Sequence, residues 1–100
     1  MKQLRILRSA RRDLTDGFIF YEKQETGLGD FFLASIVRQI EQLKTTAGTH
    51  RVDYDDYHRM ICRKFPYAVY YLSDEQFVTI YAVVDCRRDL NWIHSHLDES

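Results

Sequence analysis

Five cations and two proton carriers are the groups in this chain equipped to do chemistry: Arg59, Arg63, Lys64, Arg87 and Arg88, with His58 and Tyr81. A guanidinium presents a planar fork of donors that grips a phosphate bidentately. Brought together, such groups stabilise charge during cleavage of an RNA strand, while a histidine or tyrosine moves the proton. Alternation along residues 77–84 predicts where they sit. Val78, Ile80, Ala82 and Val84 form one face of that run, and Phe77, Thr79, Tyr81 and Val83 the other. Turning the smaller aliphatic set to the core, with Met60 and Cys62 beside it, leaves Arg59, Arg63 and Tyr81 on the open face. Arg87 then converges on them from the end of the run, with His58 nearby. The plainer alternative is a solvated face whose arginines pair with Asp85, Asp89, Asp53 or Asp55, or meet a partner protein.

Other chemistries are poorly served. His94 and His96 would project from different faces of a helix, and no C-x-x-C or H-x-x-x-H spacing exists, so neither a metal nor another cofactor is expected. Cys62 and Cys86 have no histidine in a recognisable arrangement and read as reduced, core-filling thiols. There is no glycine-rich phosphate loop, and Asp55-Asp56 lie in a polar connection. A net charge of −1 tells against a protein whose main work is gripping nucleic acid. Charge is uneven, however: residues 1–12 hold five bases and no acid, so a local basic patch is possible.

The elements that must position these groups are legible in outline. Residues 2–7 read as a short strand. Ser9 is expected as an N-cap, with Asp13 near the positive end of the helix dipole. Ala10, Leu14, Phe18 and Tyr21 give a helical stripe from about Ser9 to Glu25. Gly17 within it implies close packing against something. Gly27-Leu28-Gly29 breaks that helix, and Phe32, Ile36, Ile40 and Leu43 stripe a second one that stops at Gly48. Residues 49–56 read as a connecting loop with room for a strand stub. Three antiparallel strands follow, over Tyr57–Phe65, Tyr67–Leu72 and Phe77–Val84, and Leu90, Trp92, Ile93 and Leu97 suggest a closing helix. The two helical stripes have only the sheet to pack on, and Leu14 and Phe18 are expected to join Phe32, Ile36, Ile40 and Leu43 against Ile80, Ala82 and Val84.

One hundred residues, 45% hydrophobic and 14% aromatic, are expected to form one domain over 1–100 with a modest core. No apolar run approaches the roughly 20 residues of a membrane span, and no apolar stretch follows Lys2, Arg5 and Arg8 as in a signal peptide. The cytoplasm is the expected location.

The run Arg63-Lys64-Phe65-Pro66-Tyr67, the following Tyr70-Tyr71, an acidic turn and the Arg87-Arg88-Asp89 ending resemble the RelE/ParE superfamily of toxin–antitoxin toxins, and the ParE (plasmid stabilisation) branch more than the RelE branch. Earlier, Ser9-Ala10, Asp13-Leu14 and Tyr21-Glu22 match the first helix, and Gly27-Leu28-Gly29 with Phe32 match the helix–helix corner. The likeness departs at Asp85-Cys86, where the family often carries His-Gly. It implies an α+β fold with an N-terminal strand, an antiparallel helical hairpin, a three-stranded antiparallel run and a short C-terminal helix. The first strand would lie at the sheet's edge or beside the last. It also implies the toxin of a type II pair, neutralised by a cognate antitoxin. The ParE branch implies inhibition of DNA gyrase by protein–protein binding, with no catalytic group, no cofactor, no membrane partner and no direct DNA contact without the antitoxin. Arg59, Arg63, Arg87, Arg88 and Trp92 would then be antitoxin- or target-binding residues, with an acidic amphipathic helix meeting the first three. The RelE branch implies instead a ribosome-dependent mRNA endonuclease using Arg59, Arg63, Tyr81 and Arg87.

Overall fold

Wherever a stripe or an alternation is strong in the sequence, the expected element forms. The structure, a computed structural model, describes residues 1–100. In chain order the elements are β1 (Gln3–Ile6), α1 (Arg8–Gln24), α2 (Leu28–Thr46), β2 (Val52–Tyr54), β3 (Tyr57–Ile61), β4 (Tyr67–Ser73), β5 (Phe77–Asp85) and α3 (Leu90–Asp98). They build one five-stranded sheet in the order β1-β5-β4-β3-β2. β3, β4 and β5 are the expected antiparallel run. β1 is an edge strand and pairs parallel with β5, so the sheet is mixed, and the strand stub in the connecting loop becomes the opposite edge, β2.

The hairpin corner is held by glycine and one carboxylate. Gly27 has φ 92°, a left-handed conformation that side chains resist. Glu22 accepts from the backbone N–H of Gly27 (3.0 Å) and of Gly29 (3.0 Å), so the last turn of α1 grips the first turn of α2. Gly17 lets the two helices close: a Cβ there would stand 2.6 Å from the Phe32 ring. Phe32, Ile36, Ile40 and Leu43 are buried as a set, and each such side chain contributes about 1.5–3 kcal/mol of transfer free energy. They pack with Leu14, Tyr21, Met60, Cys62, Phe65, Tyr67, Val69, Tyr71, Val78, Ile80 and Val83. Phe18 is only half-buried and Tyr21 takes the place expected of it.

The strand alternation holds only as far as Ile80. Tyr71 pairs with Ile80 and Tyr70 with Ala82, so Tyr81 is an extra residue, a β-bulge. One extra residue reverses the faces beyond it. Val83 therefore joins Val78 and Ile80 under the helical hairpin. Ala82 and Val84, expected there, point to the other face and pack with Ala68, Tyr70, Ile93 and Leu97. That other face is not open: α3 covers one end of it, giving three layers in which the sheet lies between the hairpin and α3.

Two further expectations are corrected. Ser9 does not cap α1; the cap is Leu7, with no side-chain bond, and Ser9 Oγ donates to the Tyr81 carbonyl at 3.1 Å. The first long strand also stops at Ile61, because the chain turns over residues 62–66, where Cys62 N–H donates to the Tyr67 carbonyl and Pro66 has no N–H to offer a ladder. The β4–β5 turn is closed by Asp74, whose Oδ1 accepts from Gln76 and Phe77 N–H at 2.8 and 2.7 Å. Those two bonds hold its carboxyl below the usual range.

Candidate functional site

The groups singled out for chemistry lie at separate places. Arg59, in mid-β3, stands opposite Tyr70 on the α3 side of the sheet. Its guanidinium lies beside the Cys86 thiol and the Tyr70 phenol, and its Nε is buried without a hydrogen-bond partner. Tyr81 shares that side, with its ring edge-on to Tyr57 at 5.1 Å. His58 is turned the other way, stacked on Tyr71. Arg63 is exposed in the β3–β4 turn, and its backbone N–H donates to Gln39 Oε1 of α2 at 3.0 Å. Arg87 folds back on its own strand end and bonds Asp85 through Nε at 3.0 Å and Nη2 at 2.7 Å. That pairing holds the Asp85 carboxyl below its ordinary range. Arg88 lies 4.0 Å over the Trp92 ring, which also stacks on His96 at 4.8 Å. Trp92 is thus in contact with both neighbours yet remains 37% exposed.

Arg59, Arg63 and Arg87 are therefore not brought onto one phosphate. Arg59 faces α3, Arg63 faces α2, and the Arg87 charge bears on Tyr21 and Tyr67 in the hairpin-side core. The bulge at Tyr81 and the early end of β3 are the physical reasons, since each breaks the alternation on which the shared face depended.

A basic and aromatic surface lies elsewhere, where α2 meets the β3–β4 turn. A groove of about 260 Å³ there is lined by Arg38, Arg63 and Lys64 with Ser35, Gln39 and Gln42. Phe31 and Ala34 supply its apolar side, and no carboxylate lines it. Lys64 Nζ stands 5.0 Å over the Phe31 ring. Phe31 continues inward as an aromatic cluster, 5.5 Å from Phe65, which meets Tyr21 at 4.8 Å and Phe32 at 5.2 Å. Phe31 itself remains 47% exposed. Phe31 and Arg38 were missed in the sequence because they stand off the apolar stripe of their helix.

Asp13 has a further role that the sequence did not reveal outright. β1 pairs with β5 only as far as Ile80, and beyond it the edge of β5 needs another acceptor. Asp13 Oδ2 takes the Val83 N–H at 2.9 Å, and its carboxylate also meets His96 Nε2 of α3. Burial pushes its pKa up despite those bonds. The signal was present: Asp13 stands three residues after the buried Ala10 and four before the buried Gly17, on the buried side of α1.

Neither a scan of protein-family models nor a search of curated proteins finds a match. The fold decides more. A chain of a solved structure described as the chromosomal ParDE TA system from P. aeruginosa superposes with a TM-score of 0.79, covering 85% of this chain and 96% of that one, at 17% identity. The fold is ParE-like. The expected order of strand, helical hairpin, antiparallel run and C-terminal helix is the order observed in this ParE-like fold. No helix of the chain is long and apolar enough to cross a membrane.

Proposed function

We propose that this chain is the toxin of a type II toxin–antitoxin pair and that it acts in the cytoplasm by binding its target, not by cutting a bond. The observation that carries the reading is a surface: a ParE-like fold presents an aromatic and basic groove, while Arg63 and Arg87 stand apart from Arg59 and Tyr81. The target follows from the resemblance to the ParE branch and is DNA gyrase. The antitoxin presents an acidic amphipathic helix to Arg38, Arg63 and Lys64, with an apolar side chain against Phe31. From Phe31 to Gln42 the groove runs about 16 Å along α2, three turns of a partner helix. Arg87 and Arg88 are engaged with Asp85 and Trp92 and lie outside the groove lining.

The test is induced expression in a bacterial host with mRNA integrity followed in parallel. Growth arrest with intact mRNA, unchanged in Tyr81→Phe, is expected. Ribosome-dependent mRNA cuts that disappear in Tyr81→Phe would overturn the reading in favour of the RelE-like endonuclease.

A further inference from the structure

Two imidazoles and a phenol meet at the other end of the sheet, outside the groove. Tyr71 is fully buried, and its hydroxyl oxygen accepts from the Gly48 N–H at 3.1 Å. The same hydroxyl lies 2.6 Å from His50 Nδ1. A buried phenol proton needs an acceptor, so Nδ1 carries the lone pair and the hydrogen of neutral His50 resides on Nε2. His58 Nδ1–H in turn donates to the His50 carbonyl at 2.7 Å. The His58 ring stacks on Tyr71 at 5.0 Å, and the His50 ring stands edge-on to Tyr71 at 5.6 Å.

We propose that His50, Tyr71 and His58 form a proton-sensitive latch that holds the α2–β2 connection and β2 on the sheet at neutral pH and releases them in acid. His50 is faced by Tyr71 from β4, by His58 from β3 and by the Gly48 N–H from the end of α2. None of these is an anion that would reward a positive imidazole. Burial first, and the neighbouring His58 second, hold the His50 pKa below its ordinary 6.5. Protonation at Nδ1 converts the acceptor into a second donor aimed at the phenol and leaves the Tyr71 proton without a partner. The neutral form is favoured by folding, so the stabilisation is complete above the ordinary histidine range and is lost as pH falls through the depressed value.

What the latch retains is the shortest strand of the sheet. β2 has three residues, an irregular register and one neighbour, β3. It also carries Tyr54, whose hydroxyl donates to Asp98 and whose ring stacks on His94 at 3.8 Å. Releasing residues 48–54 therefore frees the edge of β3 and removes the outer hold on α3. The latch stands on the fold alone and does not depend on the toxin reading.

Amide hydrogen exchange of the full chain tests it. After correction for intrinsic rates, protection of residues 48–54 should fall about tenfold more than that of β4 and β5 between about pH 7.5 and pH 5. His50→Asn keeps an acceptor near the Nδ1 position but cannot be protonated, and should hold the same protection at both pH values. The His50 ring-proton resonance, followed by NMR in the unmodified chain, should titrate below the ordinary range together with the loss of protection. Equal exchange at the two pH values, unchanged acid release in His50→Asn, or a His50 that titrates at or above 6.5 would each overturn the proposal.

Discussion

His96 Nε2 of α3 lies 2.8 Å from Asp13 Oδ1 of α1, a pair joined around the edge of the sheet where β1 has ended. The same carboxylate holds the Val83 N–H, so one residue ties the hairpin layer, the free edge of β5 and the C-terminal helix. Asp13→Ala leaves the Val83 N–H and His96 without their partner and should cost about 1–3 kcal/mol in denaturant unfolding. Asp13→Asn keeps an acceptor and should cost less.

The pH dependence of that difference has a definite sign. The Asp13 pKa is raised on folding, above its ordinary 3.8, so the folded chain binds this proton more tightly than the unfolded one. Its charged form is penalised above the folded pKa, and the penalty vanishes as pH drops below 3.8. Wild type should therefore gain stability relative to Asp13→Asn as the solution is acidified through that window. A constant difference in unfolding free energy would contradict it.

Gly17→Ala sets helix propensity against packing. Alanine gains up to about 1 kcal/mol in a helix interior. Here its Cβ would stand 2.6 Å from Phe32, which is fully buried against Tyr21, Phe65 and Tyr67 and has no room to give. Overpacking should win, with a net loss of about 1–2 kcal/mol in thermal or urea unfolding. A rise in stability would mean that the ring can move aside.

The Cys62 thiol is pushed up to about 12 by burial, so almost no thiolate exists at neutral pH. In native protein, iodoacetamide near pH 8 should modify it far more slowly than in denaturant. Cys86, half-buried and also raised, should react first. Rapid native labelling of Cys62 would show that the β3–β4 turn opens.

The helical half was legible because its signals are local. The Phe32, Ile36, Ile40, Leu43 stripe and the Gly27 corner each specify one conformation, and both appear as expected. The sheet faces were legible only up to Ile80, because nothing in the alternation announces that Tyr81 will be left unpaired. That single residue turned Ala82 and Val84 toward α3 and carried Arg87 away from Arg59, while the early end of β3 left Arg63 in the turn. The groove was hidden for a different reason: Arg38 and Lys64 stand far apart in sequence and meet only when α2 lies against the β3–β4 turn. Asp13 was read as a dipole carboxylate, although its place on the buried side of α1 marked it as an internal ligand for a strand edge.

The claim that the protein works by binding is tested most directly by gyrase supercoiling of relaxed plasmid in the presence of purified protein. Dose-dependent inhibition is expected, retained in Tyr81→Phe and in Arg59→Gln, because neither side chain lines the proposed groove. Full supercoiling activity in a large excess of folded protein would contradict it.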